Sequence, residues 1–189
     1  MSLSNVIKIL GIDPGTNIMG FGVVSWDGNT PSIIEHGILR INDKSPFDKL
    51  KHILNEVSLW IKKYGVDHVA IEAPFYDKNA QSMLKLGRAQ GVAIASSINM
   101  GVGVTEYAPK KIKLALTGKG FSSKEQVQAM VTQILALKKK PETLDASDAL
   151  AVAVCHCYQQ NMASLSGKNK SYKGWSDYID KNPGKKLST

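Results

Sequence analysis

Three short runs of apolar residues occupy the first forty positions and have the pattern of β-strands. The runs cover residues 6–12, 20–26 and 32–41, with a turn containing Gly28 between the second and the third. Connections as short as these favour antiparallel pairing of neighbouring strands. The pattern therefore predicts a three-stranded antiparallel meander at the start of the fold.

Helical and extended patterns alternate in the middle of the chain. Apolar residues recur at three- and four-residue spacing over residues 47–64, which predicts a helix with Ser45 as its N-cap. A second helix, rich in small residues, is predicted over residues 79–97. It lies between runs at 66–72 and 102–107 that have strand character, so we predict an α/β domain.

Two more helices are predicted further along. A basic segment at residues 109–113 is followed by a loop and by a helix that Ser122 and Glu125 begin in capping-box spacing. Residues 144–154 form a helix that is apolar on almost every side beyond its acidic first turn. We expect this last helix to be buried.

Length and composition fit one domain followed by a tail. A chain of 189 residues can bury a sizeable core without a disulfide or a structural metal. Ser, Gly, Asn and Lys dominate the C-terminal part, so we place a domain at residues 1–160 and a flexible basic tail at 161–189. Cys155 and Cys157 point apart on the predicted buried helix, which indicates reduced thiols and a reducing compartment.

The charge of the chain bears on its partners and location. A formal net charge of +8 favours a polyanion such as nucleic acid, or less readily an anionic membrane surface, although excess lysine also serves solubility alone. No segment has the length and hydropathy of a membrane span or a secretory leader. We therefore expect a cytoplasmic protein that does not bind a membrane.

Four carboxylates stand at positions that can meet. Asp13 and Glu72 end two predicted strands, each just before a proline-containing break. Asp145 and Asp148 lie one turn apart at the start of the buried helix, and so on one helix face. If the two strands are neighbours, the helix can bring its acidic pair to the same sheet edge, where α/β folds bind their ligands.

These acids form a hard oxygen site of the kind that suits Mg²⁺ or Mn²⁺, because no histidine or cysteine accompanies them. In a basic protein the natural substrate is the nucleic-acid phosphodiester, which two metal ions can hydrolyse by in-line displacement. Each acid alone could instead cap a helix, end a strand or lie in solvent. Their joint placement favours the metal site.

Four separated motifs closely resemble the RuvC family of bacterial Holliday-junction resolvases. They lie at residues 11–15, 70–72 together with Phe75, 84–91 and 145–151. The resemblance extends over about residues 6–160. It implies a ribonuclease-H-like fold: a five-stranded mixed sheet, three strands antiparallel and then two parallel, flanked by helices.

The resemblance also implies an activity. A homodimer would nick two symmetry-related strands of four-way DNA junctions in recombination and repair, with one or two Mg²⁺ per subunit and Mn²⁺ as a substitute. Such an enzyme acts on chromosomal DNA and is therefore expected at the nucleoid. RuvA and RuvB, the branch-migration proteins, are implied as partners by the family alone.

Residue roles follow from the same motifs. All four carboxylates would be metal ligands, and Lys113 and Lys124 match lysines near the scissile phosphate. Phe75 matches the aromatic residue that stacks on bases at the opened crossover, a contact worth about 1–3 kcal/mol per base, and Tyr76 could share that role. Weaker candidates for contacts with the DNA backbone are Lys78, Lys85, Arg88, Lys110, Lys111 and Lys119.

Other functions stay open at this point. Asp13 to Thr16 also resembles the phosphate loop of actin-like and sugar-kinase ATPases, but 189 residues leave no room for their second loop and adenosine subdomain. The sequence is also compatible with a non-catalytic junction-binding protein and with a nuclease for RNA–DNA hybrids. Cys155, His156 and Cys157 are disfavoured as a soft-metal site, because consecutive helical side chains point about 100° apart.

Overall fold

The computed structural model of the protein describes residues 6–74 and 79–166. Within these ranges the chain forms five strands and five helices. In chain order they are β1 (Ile7–Asp13), β2 (Ile18–Trp26), β3 (Pro31–Arg40), α1 (Pro46–Tyr64), β4 (His68–Glu72), α2 (Ala80–Asn99), β5 (Gly103–Tyr107), α3 (Pro109–Thr117), α4 (Lys124–Ile134) and α5 (Leu144–Ser166). None of these helices is both long and apolar enough to cross a membrane.

The strands form one mixed sheet in the order β3-β2-β1-β4-β5. β1, β2 and β3 pair antiparallel, as the short connections predicted. β4 lies parallel to β1, and β5 lies parallel to β4. The predicted α/β fold with three antiparallel and two parallel strands is confirmed.

The two faces of the sheet carry different helices. Alternate residues of a strand point to opposite faces, so Ile9 packs with α3, α4 and α5 while Leu10 packs with α1 and α2. α5 lies closest to the sheet. A Cβ on Gly11 would overlap the backbone of Ala149, and a Cβ on Gly20 would overlap the backbone of Asp145. Glycine at these strand positions lets the acidic end of α5 approach β1 and β2.

Two local predictions differ from the structure. The capping box of α4 is formed by Ser123 and Gln126, so the prediction that Ser122 and Glu125 begin the helix was wrong. The Ser122 hydroxyl instead lies 2.7 Å from Thr117 Oγ1, in the turn before the helix. The basic segment at 109–113 is the start of helix α3, which buries Ile112 and Leu116.

The C-terminal helix continues past the expected end of the domain. α5 reaches Ser166, so the predicted boundary at residue 160 falls inside it. Most of the predicted tail lies outside the described residues. Cys155 and Cys157 are both buried on α5, and neither forms a disulfide.

Candidate active site

The four predicted carboxylates come from three elements that meet at one end of the sheet. Asp13 is the last residue of β1, and Glu72 is the last residue of β4. These strands are parallel neighbours with Ile12 paired to Ile71. Asp13 and Glu72 are the next residue of each strand, so they lie side by side. Asp145 and Asp148 lie within the first five residues of α5, which packs across β1 and β2.

Burial and repulsion between neighbouring carboxylates raise the pKa values of Asp13 and Glu72. Burial, and then the negative charges of Glu72 and Asp148, raise the pKa of Asp13 from 3.8 to about 8. Burial and then the charge of Asp148 raise the pKa of Glu72 from 4.5 to about 7. Asp145 adds a smaller repulsion at Asp13. Asp13 and Glu72 therefore lie in a partly desolvated environment that disfavours their ionised forms.

Two lysines partly compensate this negative charge. Lys124, the first residue of α4, places its Nζ 2.6 Å from Asp148 Oδ2. Burial opposes the charge of Lys124, but the hydrogen bond to Asp148 and the nearby acids outweigh it and raise the lysine pKa. Lys113 of α3 is half-buried, and its charge lowers the pKa of Glu72. Both lysines predicted to lie near the scissile phosphate are thus placed beside the acids.

The donor chemistry of the site fits a hard divalent cation. Four carboxylates whose charges repel one another are the ligands that Mg²⁺ and Mn²⁺ prefer, and a bound cation would favour their ionised form. The side chains are not drawn together as a preformed cage: among residues 6–74 and 79–160, no three His, Cys, Asp or Glu side chains form a metal-binding group. Asp148 is paired with Lys124 in this arrangement.

A cavity lined in part by basic residues lies beside the loop that follows β1. Lys85 and Arg88, predicted to contact DNA, line a cavity of about 640 Å³ between α1, α2 and the β1–β2 loop. Lys44 and Lys49 also line it, and neither was predicted. Lys49 Nζ donates to Asn17 Oδ1 at 2.6 Å, four residues after Asp13 along the chain. The cavity and the acids thus share the loop that follows β1.

The remaining predicted DNA contacts lie on the opposite side of the site or outside the described residues. Lys110 and Lys111 are exposed on the first turn of α3, and Lys119 is exposed in the loop between α3 and α4. Phe75, Tyr76 and Lys78 fall in the undescribed segment after β4.

Gln90 is a site neighbour that sequence reasoning missed. It is 7% exposed on α2, and its Nε2 donates to the backbone oxygen of Glu72 at 3.5 Å. This contact ties α2 to the end of β4. The available signal was a polar residue on the buried face of a helix, beside Ala89 and Ala93.

His156, by contrast, is a core residue. Its Nδ1 lies 2.9 Å from the Tyr107 hydroxyl, and its Nε2 lies 3.1 Å from Gln160 Nε2. Burial, and then the neighbouring His68, lower its pKa from 6.5 to about 4. This environment favours a neutral imidazole inside the fold.

Sequence comparison decides the family. Residues 9–156 match the sequence profile described as crossover junction endodeoxyribonuclease RuvC. The chain belongs to the RuvC family. It is 49% identical over 178 residues to the crossover junction endodeoxyribonuclease RuvC of Cytophaga hutchinsonii, covering 94% of this chain and 86% of that relative. The RuvC of Bacteroides fragilis is also 49% identical over 178 residues, with 93% of each chain covered.

Solved RuvC structures share the fold. The Thermus thermophilus RuvC in complex with a Holliday junction substrate superposes with a TM-score of 0.79 at 30% identity, covering 84% of this chain and 97% of that one. The yeast mitochondrial Holliday junction resolvase Ydc2 has the same fold at 12% identity, with a TM-score of 0.63. All four acids, Lys113 and Lys124 lie inside the region that matches the RuvC profile.

Proposed function

We propose that this RuvC-family chain is a metal-dependent endonuclease that resolves Holliday junctions. It would hydrolyse phosphodiester bonds in two symmetry-related strands of a four-way DNA junction, in homologous recombination and DNA repair. One observation carries the proposal: Asp13 and Glu72 end neighbouring strands beside the acidic start of α5, in a chain whose relatives are crossover junction endodeoxyribonucleases. The substrate implies that the protein acts in the cytoplasm at the nucleoid.

The carboxylates and the lysines would have different roles in the reaction. Asp13, Glu72, Asp145 and Asp148 would hold one or two Mg²⁺ ions, with Mn²⁺ as a substitute. When bound, the cation supplies Lewis-acid polarisation of the phosphate and activation of a water molecule. Lys113 lies near Glu72 and Lys124 is paired with Asp148, so their ammonium groups would be suited to stabilise negative charge that develops on the phosphate oxygens.

DNA would lie across both basic sides of the site. Lys85 and Arg88 at the cavity, and Lys110, Lys111 and Lys119 on the other side, are suited to phosphate contacts. Lys78 is proposed as a further phosphate contact, with Phe75 and Tyr76 stacking on bases at the opened crossover, on the family motif alone.

A homodimer suits the two-fold symmetry of the junction, and α2 offers a surface for it. Leu84 and Ile98 are 58% and 64% exposed, although both are large and apolar. Gly87 and Gly91 lie between them at helical spacing, and a Cβ at either position would meet nothing within 4 Å. Small residues between exposed apolar ones allow close packing of a second helix. We place the dimer contact here; RuvA and RuvB are proposed as partners on family membership alone.

The proposal is tested by comparing three DNA substrates. The protein is incubated with a mobile four-way junction, a linear duplex and an RNA–DNA hybrid, in Mg²⁺ or in chelator, with Asp13→Asn and Asp148→Asn as control variants. We expect cleavage of the junction alone, lost in chelator and in both variants while junction binding is retained. Binding without cleavage in any divalent metal would indicate a non-catalytic module. Preferential cleavage of the hybrid would indicate a different ribonuclease-H-like nuclease.

A further inference from the structure

Phe121 is held in solvent at the edge of the candidate active site. Its side chain is 89% exposed, the largest value among the exposed large hydrophobic residues of the described chain. An exposed phenylalanine forfeits the free energy that its burial would contribute. Neither the packing of the core nor the four-carboxylate site accounts for a ring at this position.

The loop that carries Phe121 is ordered by its own hydrogen bonds. Gly118 adopts a left-handed conformation with φ of 72° and ends α3 by donating to Leu114. Thr117 Oγ1 bonds to Lys119 O at 2.9 Å and to Ser122 Oγ at 2.7 Å, and Ser122 is only 6% exposed. The residues on both sides of the ring are therefore fixed, and the loop holds Phe121 outward.

The surroundings of the ring are strongly basic. Residues 108–124 contain five lysines and no acidic residue. Lys110 Nζ lies 5.2 Å from the centroid of the Phe121 ring, a cation–π distance. Three residues after the ring, Lys124 is bonded to Asp148. The aromatic ring thus contacts a lysine of α3 and lies three residues before the lysine that binds Asp148, a candidate metal ligand.

An aromatic ring among lysines is the surface that single-stranded nucleic acid recognises, because bases stack on the ring while ammonium groups contact the phosphates. A second copy of this chain fits poorly as an occupant, because the dimer contact is proposed on α2 and the lysine-rich surface around the ring, with no acidic residue in 108–124, favours an anionic partner. We propose that Phe121 is a positioning residue that stacks on an unpaired base of the cleaved strand, next to the scissile phosphate. This inference rests on the proposed function and adds a base contact on the α3–α4 side.

Steady-state cleavage of the four-way junction gives the first test. Phe121→Ala should lower kcat/KM about tenfold, from loss of one stacking contact. Phe121→Trp should retain activity, and Phe121→Leu should behave like Phe121→Ala, because an aliphatic side chain restores bulk without a flat ring. Leu59→Ala, at a position 52% exposed on α1, is the matched control and should cleave like the parent protein.

Base stacking is read directly with 2-aminopurine placed within about three nucleotides of the mapped nick, in junctions bound by the uncleaving Asp13→Asn protein. Adding Phe121→Ala to this background should abolish the change in 2-aminopurine emission that accompanies binding. The proposal would be overturned if Phe121→Ala changed neither the 2-aminopurine emission on binding nor kcat/KM. It would also be overturned if Phe121→Leu and Phe121→Trp cleaved junctions equally well. A change in sedimentation with unchanged emission would also overturn it, in favour of a protein interface. Suppose that the wild-type protein changes 2-aminopurine emission on binding, in a way that depends on Phe121, but never cuts junctions. That result would refute the proposed function while supporting the stacking contact.

Discussion

At the scale of single residues, the candidate site gathers charges that destabilise the fold. The residue types were predictable, because Asp13 and Glu72 end apolar strands and Asp145 and Asp148 share a helix face. Their electrostatics were not. The raised pKa of Asp13 and the contact from Lys124 to Asp148 depend on packing between segments far apart in sequence. Phe121 was also missed, because the sequence does not reveal which loop residue faces solvent.

The raised pKa of Asp13 predicts a pH-dependent stability. The folded state holds a proton up to about pH 8, whereas the unfolded carboxyl loses it near pH 3.8, so the free energy of unfolding falls as pH rises between these values. In chelator, Asp13→Asn should therefore be more stable than the parent above pH 8, by about 2 kcal/mol, and little different near pH 4. Urea unfolding at both pH values measures this difference.

Asp27 supplies the control for this prediction. Hydrogen bonds from the backbone N–H groups of Thr30 and Asn29 lower its pKa, so its carboxylate favours the folded state at neutral pH. Above pH 8, Asp27→Asn should consequently be less stable than the parent protein, whereas Asp13→Asn should be more stable. Equal pH profiles for Asp13→Asn and the parent protein would show that Asp13 does not carry the repulsion.

Lys124 is expected to act on the rate and Lys119 on binding. Lys124→Ala removes the ammonium group beside Asp148 and should lower kcat about 100-fold, with junction affinity changed little. Lys119→Ala, at an exposed loop position, should instead weaken junction binding and retain kcat. The slope of the logarithm of the binding constant against the logarithm of salt concentration should fall in magnitude by about one. Single-turnover cleavage and binding at several salt concentrations separate the two effects. A uniform loss of affinity in both variants would contradict the distinction.

At the scale of elements, close packing of α5 on the sheet places its acids. Hydrophobic periodicity predicted the strands and the principal helices, because each buries one face or all of its surface. It failed at the start of α4, where Ser122–Glu125 and Ser123–Gln126 have the same spacing. The hydrogen bond of Ser122 to Thr117 decides between them, and that contact belongs to the turn rather than to the helix.

Gly11 tests the packing of α5. A methyl group there would overlap the Ala149 backbone, so Gly11→Ala should cost about 1–3 kcal/mol and displace the acidic end of α5. Gly103→Ala is the matched strand control, since its Cβ would meet His68 Nδ1 at an ordinary 3.7 Å. Chemical unfolding should show a loss for Gly11→Ala alone. Equal stabilities would mean that α5 can move away without cost.

At the scale of the whole molecule, the five-stranded sheet agrees with the RuvC family match over residues 9–156. The sequence predicted the order of the elements, because short connections and strand–helix alternation leave few topologies. It did not reveal the end of the last helix, since α5 runs on to Ser166 through residues whose composition resembles a tail. The proposed homodimer rests on a surface rather than on a motif, namely the exposed apolar residues Leu84 and Ile98 of α2.

The dimer prediction can be tested at these two residues. Leu84→Glu with Ile98→Glu should raise the dimer dissociation constant at least about 100-fold, because each subunit would bury two charges against its partner. Leu59→Glu, on α1, should sediment like the parent. The double variant should also cut the two junction strands in uncoupled events. A double variant that remains dimeric would place the contact elsewhere.

Junction resolution itself is tested by mapping the nicks on a four-way junction with a homologous core, using each strand labelled in turn. Cleavage by a two-fold symmetric enzyme predicts one nick at the same position in two opposite strands when Mg²⁺ is present, none in chelator, and ends that a DNA ligase reseals. Nicks at unrelated positions, or in all four strands alike, would contradict it.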